Sequence, residues 1–544
     1  MSYYERIKRR NAVLGAAVLA IAALAIMLLA GCAGPDHVRA DAPQARAKNV
    51  ILIIGDGFQL EHERAYNHYL TGSYDSGLRH QGFPYRGTVT TWDVTTYNRY
   101  AYTAGAPSIT DDGFDPQWAG SFDPLLGYDL ARGGALPWPE SPVAALNSAA
   151  GRNYYGAKRK LSNTDKGAIA ATDSASAATA LATGFKTDDG NLAWRTGDKP
   201  DGSLKTIAEM LRAQKGGAIG VITTVPFSHA TPAAFVSHNV SRNHYQAIAR
   251  EIVTKTQPDV VIGAGHPDFT SAIRKPDYTY IGAPVYDALK KSDKYVLAER
   301  RTGIDGGQSL LAAAGEAARA GRKLFGLYGG HEGNFEYAVP SGDGSSAVAR
   351  GSIENPTLAD ASTAALTVLS RNPNGFFLMI EQGNIDWANH ANHYRNLIGS
   401  MSDLDRAVRA VEAYVDRPGD DIDWSNTVLI VTTDHANSFM RIDPSKKLGK
   451  GRLPLQQSRP QGSAYLGAYI YPNREITYGP DGNGTSSHFN EPVTLYAKGP
   501  EPVLALFRSW EGAWYPGTTL IDNTQVFRVM MTALGLDDEN RSGR

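Results

Sequence analysis

Three short apolar runs, each closing on a carboxylate or histidine, organise the chain. Asn49-Val-Ile-Leu-Ile-Ile54 ends in Gly55-Asp56-Gly57, Gly375-Phe-Phe-Leu-Met-Ile380 ends in Glu381, and Asn426-Thr-Val-Leu-Ile-Val-Thr-Thr433 ends in Asp434-His435. Runs of this length predict buried strands, and strand ends are where sites form in α/β proteins. A fourth strand-like run, Val493-Thr-Leu-Tyr-Ala497, follows Ser486-Ser487-His488 in a Gly/Ser/Thr loop. The Ala-rich stretch Ala175 to Thr183 predicts a helix, with Asp173 and Ser174 at its start. A serine there faces unpaired N–H groups and the positive end of the helix dipole, a field that stabilises an alkoxide and attracts phosphate-like anions. The plain alternative is an ordinary serine cap on a buried helix.

The acids and histidines at the strand ends change that picture. Asp386 and His390 are four apart, so on a helix they share one face and can bind one metal ion, whereas Glu381 lies before the turn and reaches a different one. Each piece alone has an ordinary explanation. Asp434-His435 could be a salt-bridged turn, and Asp386 with His390 a surface pair. Gly55-Asp56-Gly57 could open a dinucleotide-binding unit, but Phe58-Gln59-Leu60 lacks the third glycine. Together with the later His488, the set matches the nitrogen and oxygen ligands of catalytic zinc.

In this order the motifs resemble the alkaline phosphatases. The resemblance is carried by Gly55-Asp56-Gly57, by Thr172-Asp173-Ser174-Ala175 with its small-residue run, by His229-Ala-Thr231-Pro with Ser241-Arg242, by Glu381, Asp386 and His390, by Thr433-Asp434-His435, and by His488. It runs from about Asn49 to about Gly535. It implies a three-layer α/β/α sandwich around a large, mostly parallel central sheet. It also implies a first zinc at Asp386, His390 and His488 and a second at Asp56, Asp434 and His435. A third ion, usually magnesium, would use Asp56 again with Thr231 and Glu381, with His229 beside it; a histidine there also suits zinc or cobalt. Arg242 would grip phosphate oxygens and Asp173 would orient it. The implied reaction is hydrolysis of phosphate monoesters through a phosphoserine at Ser174, with broad acceptance of the alcohol group. Rival expectations are a phosphodiesterase or sulfatase of the same superfamily, or an inactive metal- or phosphate-binding surface lipoprotein.

The remaining sequence sets location and boundaries. Arg6, Lys8, Arg9 and Arg10 precede an apolar run from Ala12 to Ala30, and Leu29-Ala30-Gly31-Cys32 ends it, the pattern of a bacterial lipoprotein signal at residues 1–31. Cys32, the sole cysteine, is the expected lipidation site, with residues 32–47 as a tether; a transmembrane anchor is the alternative reading of the run. Ala33 after the cysteine suggests the outer membrane, facing the periplasm or exterior. With that thiol acylated no internal disulfide remains, so packing and metals must supply stability. Residues 48–544 are expected to form one catalytic domain, because the motifs are scattered over its whole length. Its insert at about 100–166 is rich in Gly, Pro, Asp and aromatics; a surface elaboration or a homodimer contact is favoured over a lid. A net charge of −1 gives no footprint for nucleic acid.

Overall fold

The computed structural model describes residues 46–98, 109, 171–446, 448–459, 467–479, 488–489 and 491–541. The expected leader, Cys32, nearly all of the tether, and the insert except Ile109 lie outside the described residues.

The apolar runs become strands of one ten-stranded sheet. In chain order these are β1 (Asn49–Gly55), β2 (Tyr85–Thr90), β3 (Ala218–Pro226), β4 (Val260–Ala264), β5 (Tyr295–Glu299), β6 (Lys323–Leu327), β7 (Phe376–Gln382), β8 (Thr427–Thr432), β9 (Val493–Lys498) and β10 (Leu520–Asp522). Their order across the sheet is β10-β2-β9-β8-β1-β7-β3-β4-β6-β5. Only β9 runs against its neighbours; the other pairings are parallel.

Alternate residues of β1 pack on opposite layers, which explains why its apolar run has no polar break. Val50, Leu52 and Ile54 pack among the residues of helices α2 (Ser174–Thr183), α3 (Ala230–Val236) and α7 (Asn523–Leu534). Ile51 and Ile53 pack with α1 (Leu60–Thr71), α4 (Leu358–Leu369) and α6 (Tyr394–Val415) on the other side. The result is the expected three-layer sandwich, each fully buried Ile or Leu contributing about 2 kcal/mol.

The register places the chemistry. Ile54 lies opposite Thr432 on one side and Glu381 on the other, so β8, β1 and β7 release Asp434, Asp56 and Glu381 at one edge. Among the described residues, no helix is long and apolar enough to cross a membrane.

Candidate active site

The helix carrying Ser174 starts as its sequence suggests, with one refinement. Asp173 is the cap, its side chain accepting the Ser176 N–H, so Ser174 is the first helical residue and is nearly buried. The following small side chains, Ala175, Ala177, Ala178 and Ala180, are buried, Ala175 and Ala178 among the core residues of the sheet and α3. Ser174 Oγ lies 3.1 Å from His435 Nε2.

Two clusters of nitrogen and oxygen atoms meet at His435, the ring beside this hydroxyl. In one, His435 Nε2 is 3.4 Å from Asp56 Oδ1 and 3.3 Å from Asp434 Oδ2. In the other, helix α5 (Asn384–His390) puts Asp386 and His390 on one face, Oδ2 to Nε2 3.1 Å, while His488 Nε2 is 3.4 Å from Asp386 Oδ1 and 3.1 Å from His390 Nε2. His488 does not sit in a loop as expected. His488–Phe489 is a short strand paired with Ala436–Asn437, which ties it to the segment carrying Asp434 and His435. Its Nδ1 lies 2.8 Å from the Thr172 carbonyl, a bond that puts the proton on Nδ1 and leaves Nε2 as a lone-pair donor facing His390.

These atoms suit cations. Asp56 Oδ1, Asp434 Oδ2, Glu381 Oε1 and Thr231 Oγ1 are buried and have no hydrogen-bond partner. Such groups cost about 1–3 kcal/mol each unless something compensates them. Burial pushes the Asp56 carboxyl well up, and the charges of Asp434, Asp386 and Glu381 push it further. Burial likewise raises Glu381 to about 7, against the hydrogen bond from Thr223 that favours its charged form. Burial lowers His435 to about 4, so it is a neutral ligand at working pH. Against the cost of burial, His390 and His488 draw Asp386 well down. Carboxylates crowded in this way, with imidazole nitrogens beside them, fit divalent metal ions of the zinc and magnesium kind.

Arg242 completes the arrangement. Its Nη1 donates to Asp173 Oδ2 at 2.8 Å, and Asp173 Oδ1 accepts from the Ser176 N–H at 2.9 Å and from Ser176 Oγ at 2.7 Å. Against the cost of burial, Arg242 and these bonds hold the Asp173 carboxyl well below its usual range. The remaining fork of the guanidinium is the kind of group that takes two oxygens of a phosphate. His229 caps α3, its ring stacked on Tyr245 at 5.9 Å and edge-on to Trp387 at 5.8 Å. Burial, helped by Arg242, lowers His229 to about 3. It joins neither ligand cluster, although its buried Nδ1 has no hydrogen-bond partner.

Sequence reasoning missed several supporting groups. Asn437 donates to Asp386 Oδ1 at 2.6 Å, the Gly57 N–H donates to Asp434 Oδ1 at 3.1 Å, and Thr223 donates to Glu381. Asn437 follows His435 by two positions, but nothing in its local sequence pairs it with Asp386. Gly57 has φ of 70°, a conformation that favours glycine and turns its N–H toward Asp434.

Comparison with known proteins gives consistent matches. The family model described as alkaline phosphatase matches residues 145–480, more than half of the chain. Alkaline phosphatase H of Pseudomonas aeruginosa is 27% identical over 391 residues, covering 68% of this chain and 74% of that protein. Alkaline phosphatase 3 of Bacillus subtilis is 29% identical over 277 residues, 49% of each, so the chain spans about half of that relative's length. Among solved structures, the alkaline phosphatase of Thermus thermophilus superposes with a TM-score of 0.55 at 20% identity, over 92% of this chain and 95% of that one, a likeness of fold.

Proposed function

The chain belongs to the alkaline phosphatase family, and from that premise we propose that it hydrolyses phosphate monoesters, releasing inorganic phosphate, with Ser174 as the nucleophile. One observation carries the reading: a buried serine at a helix start meets His435, which belongs to two Asp/His clusters, with a guanidinium fixed by the neighbouring aspartate.

Bound at Asp386, His390 and His488, at Asp56, Asp434 and His435, and at Asp56, Thr231 and Glu381, two zinc ions and a magnesium, zinc or cobalt ion would supply positive charge that acidifies the serine hydroxyl and offsets charge on the phosphoryl and leaving oxygens. Ser174 Oγ attacks phosphorus while the ester oxygen departs in line, so a Ser174 O–P bond forms as the P–O ester bond breaks. The helix start contributes N–H dipoles on the same side, and Ser174 as first residue keeps its hydroxyl at that end. Arg242 holds two non-bridging oxygens, kept in orientation by Asp173, so the phosphoryl group is aligned before attack. Water then cleaves the phosphoserine from the side the alcohol left.

The decisive experiment is release of p-nitrophenol from its phosphate, bis-phosphate and sulfate esters, with and without EDTA. Rapid, EDTA-sensitive turnover of the monoester alone is expected. Preference for the diester or sulfate would move the chain to another branch of the superfamily, and no turnover of any ester by metal-loaded protein would make it a binding protein.

We also propose that the protein is held at the bacterial envelope by a lipid on Cys32, supported by the basic residues, apolar run and Leu29-Ala30-Gly31-Cys32 ending. Palmitate labelling of the wild type and its loss in Cys32→Ser are expected. Unlabelled wild type in the soluble periplasmic fraction would overturn this.

A further inference from the structure

A second group of carboxyls lies against Arg242, and neither the nucleophile nor the metal-type ligands account for it. The turn Asp188-Asp189-Gly190 is bonded to both members of the Asp173–Arg242 pair. The Gly190 N–H donates to Asp173 Oδ1 at 3.2 Å, and the Gly190 carbonyl accepts the Arg242 N–H at 2.9 Å. Gly190 has φ of 86°, a conformation that a side chain would strain. From the other side, the Asp189 N–H donates to Thr95 Oγ1 at 2.9 Å, so the turn is pinned at consecutive residues.

This pinning leaves the Asp189 carboxyl within 4.8 Å of carboxyl oxygens of Asp173 and Asp93. Asp93 is buried, its Oδ1 accepting the Thr96 N–H at 2.6 Å and its Oδ2 lying 3.2 Å from Ser176 Oγ. The single Ser176 hydroxyl proton cannot serve Asp93 and Asp173 together. The groups facing Asp189 are therefore Asp173 from the start of α2, Asp93 from the segment after β2, and Arg242 from the loop after α3. Asp188, on the same turn, accepts the Gly197 N–H, and Lys186, whose charge reaches Asp93, is held by Asp522 at 2.9 Å.

We propose that Asp189 is a positioning residue for Arg242: as a neutral acid it donates a hydrogen bond to Asp173, and as a carboxylate it adds a negative charge beside the guanidinium that weakens its hold on phosphate. The inference rests on the reading that Arg242 grips phosphate. Partial burial of the carboxyl, and then the charges of Asp173 and Asp93, push Asp189 up to about 8, although the residue as a whole is exposed to water. The acid form therefore prevails at neutral pH and the carboxylate in the alkaline range. Ionisation sends the proton to solvent, removes the bond to Asp173, and repels a bound phosphate dianion. Product phosphate then leaves more readily as pH rises.

The test is the inhibition constant of inorganic phosphate against a monoester substrate, measured on the metal-loaded full chain from about pH 6.5 to pH 10, for wild type, Asp189→Asn, Asp189→Ser and Arg242→Ala. Arg242→Ala is expected to weaken phosphate at every pH. Asp189→Asn is expected to match wild type near pH 6.5 and to bind phosphate on the order of fivefold more tightly than wild type near pH 9.5, the size of one extra charge in a partly solvated site. Asp189→Ser, also unable to ionise, should follow Asp189→Asn. A wild-type to Asp189→Asn ratio that stays constant with pH would overturn the role of Asp189 while leaving Arg242 in place. Unchanged phosphate binding in Arg242→Ala would overturn the reading beneath it.

Discussion

Two charged clusters in this molecule, one partly buried and one fully buried, are built on opposite principles. Around His238, Nε2 lies 3.1 Å from Glu209 and Nδ1 lies 3.0 Å from Glu251, so each ring nitrogen meets a carboxylate. Around Asp56, by contrast, Asp434, Asp386 and Glu381 repel it, and several buried oxygens have no hydrogen-bond donor. The first cluster is complete within the protein and serves stability. The second stays costly until cations enter it, and that cost is what makes it a site.

The largest expected effect separates chemistry from metal holding. Ser174→Ala should lower monoester turnover by roughly a thousandfold or more and abolish labelling by substrate phosphate. Metal content and melting temperature should hardly change, because the hydroxyl lies beside the ligand clusters rather than forming them. A phosphorylated Ser174→Ala protein would move the nucleophile elsewhere.

Chelation should distinguish the clusters next. Stripping metal is expected to lower unfolding free energy by about 4 kcal/mol when the ion had been present at a thousand times its Kd. Denaturant titration with and without EDTA measures this, and unchanged stability would mean that the acids are compensated some other way.

The His238 cluster makes a prediction in pH. Its imidazole is raised to about 9 by Glu209 and Glu251, despite burial that favours the neutral ring. Because the folded value exceeds the unfolded value of about 6.5, the stabilisation is complete below that pH and is lost as pH rises through 9. Between pH 7 and 10, wild type should lose on the order of 1–3 kcal/mol more than His238→Gln. Parallel losses would show that the ring is not charged in the folded protein.

A change of sign would sharpen the contrast further. In chelated protein, Asp434→Asn should raise stability by about 1 kcal/mol, since it removes one of the mutually repelling carboxylates, whereas in metal-loaded protein it should lower both stability and zinc content. Glu209→Gln should destabilise by about 2 kcal/mol with or without chelator, because it removes one of the two carboxylates that hold the His238 ring. The same sign for both variants in EDTA would collapse the distinction.

The smallest effect concerns the third ion. His229→Asp with Trp387→Lys is expected to shift metal content several-fold toward magnesium, because a carboxylate brings a negative charge and two oxygens for hydrated magnesium, whereas a neutral imidazole suits direct binding of zinc or cobalt. Unchanged metal analysis would leave His229 as a packing partner of Tyr245 and Trp387.

The legibility of the site follows the range of the interactions. By itself the sequence determined the strands of β1, β7 and β8, the helix beginning at Ser174, and the i, i+4 pairing of Asp386 with His390. Each of these depends on local periodicity or on capping, which a short window contains. Tertiary structure alone decided that Ile54 pairs with both Thr432 and Glu381, which brings three strand ends to one edge. It also decided that His488 lies on a strand beside Asn437, that Asn437 holds Asp386, and that Asp93 and Asp189 meet beside Asp173. Those residues are separated by tens to hundreds of positions, and their side chains carry no periodic signal. Their meeting is fixed by strand order, register and turns such as that at Gly190, which form only when the whole sheet and its two helical layers pack.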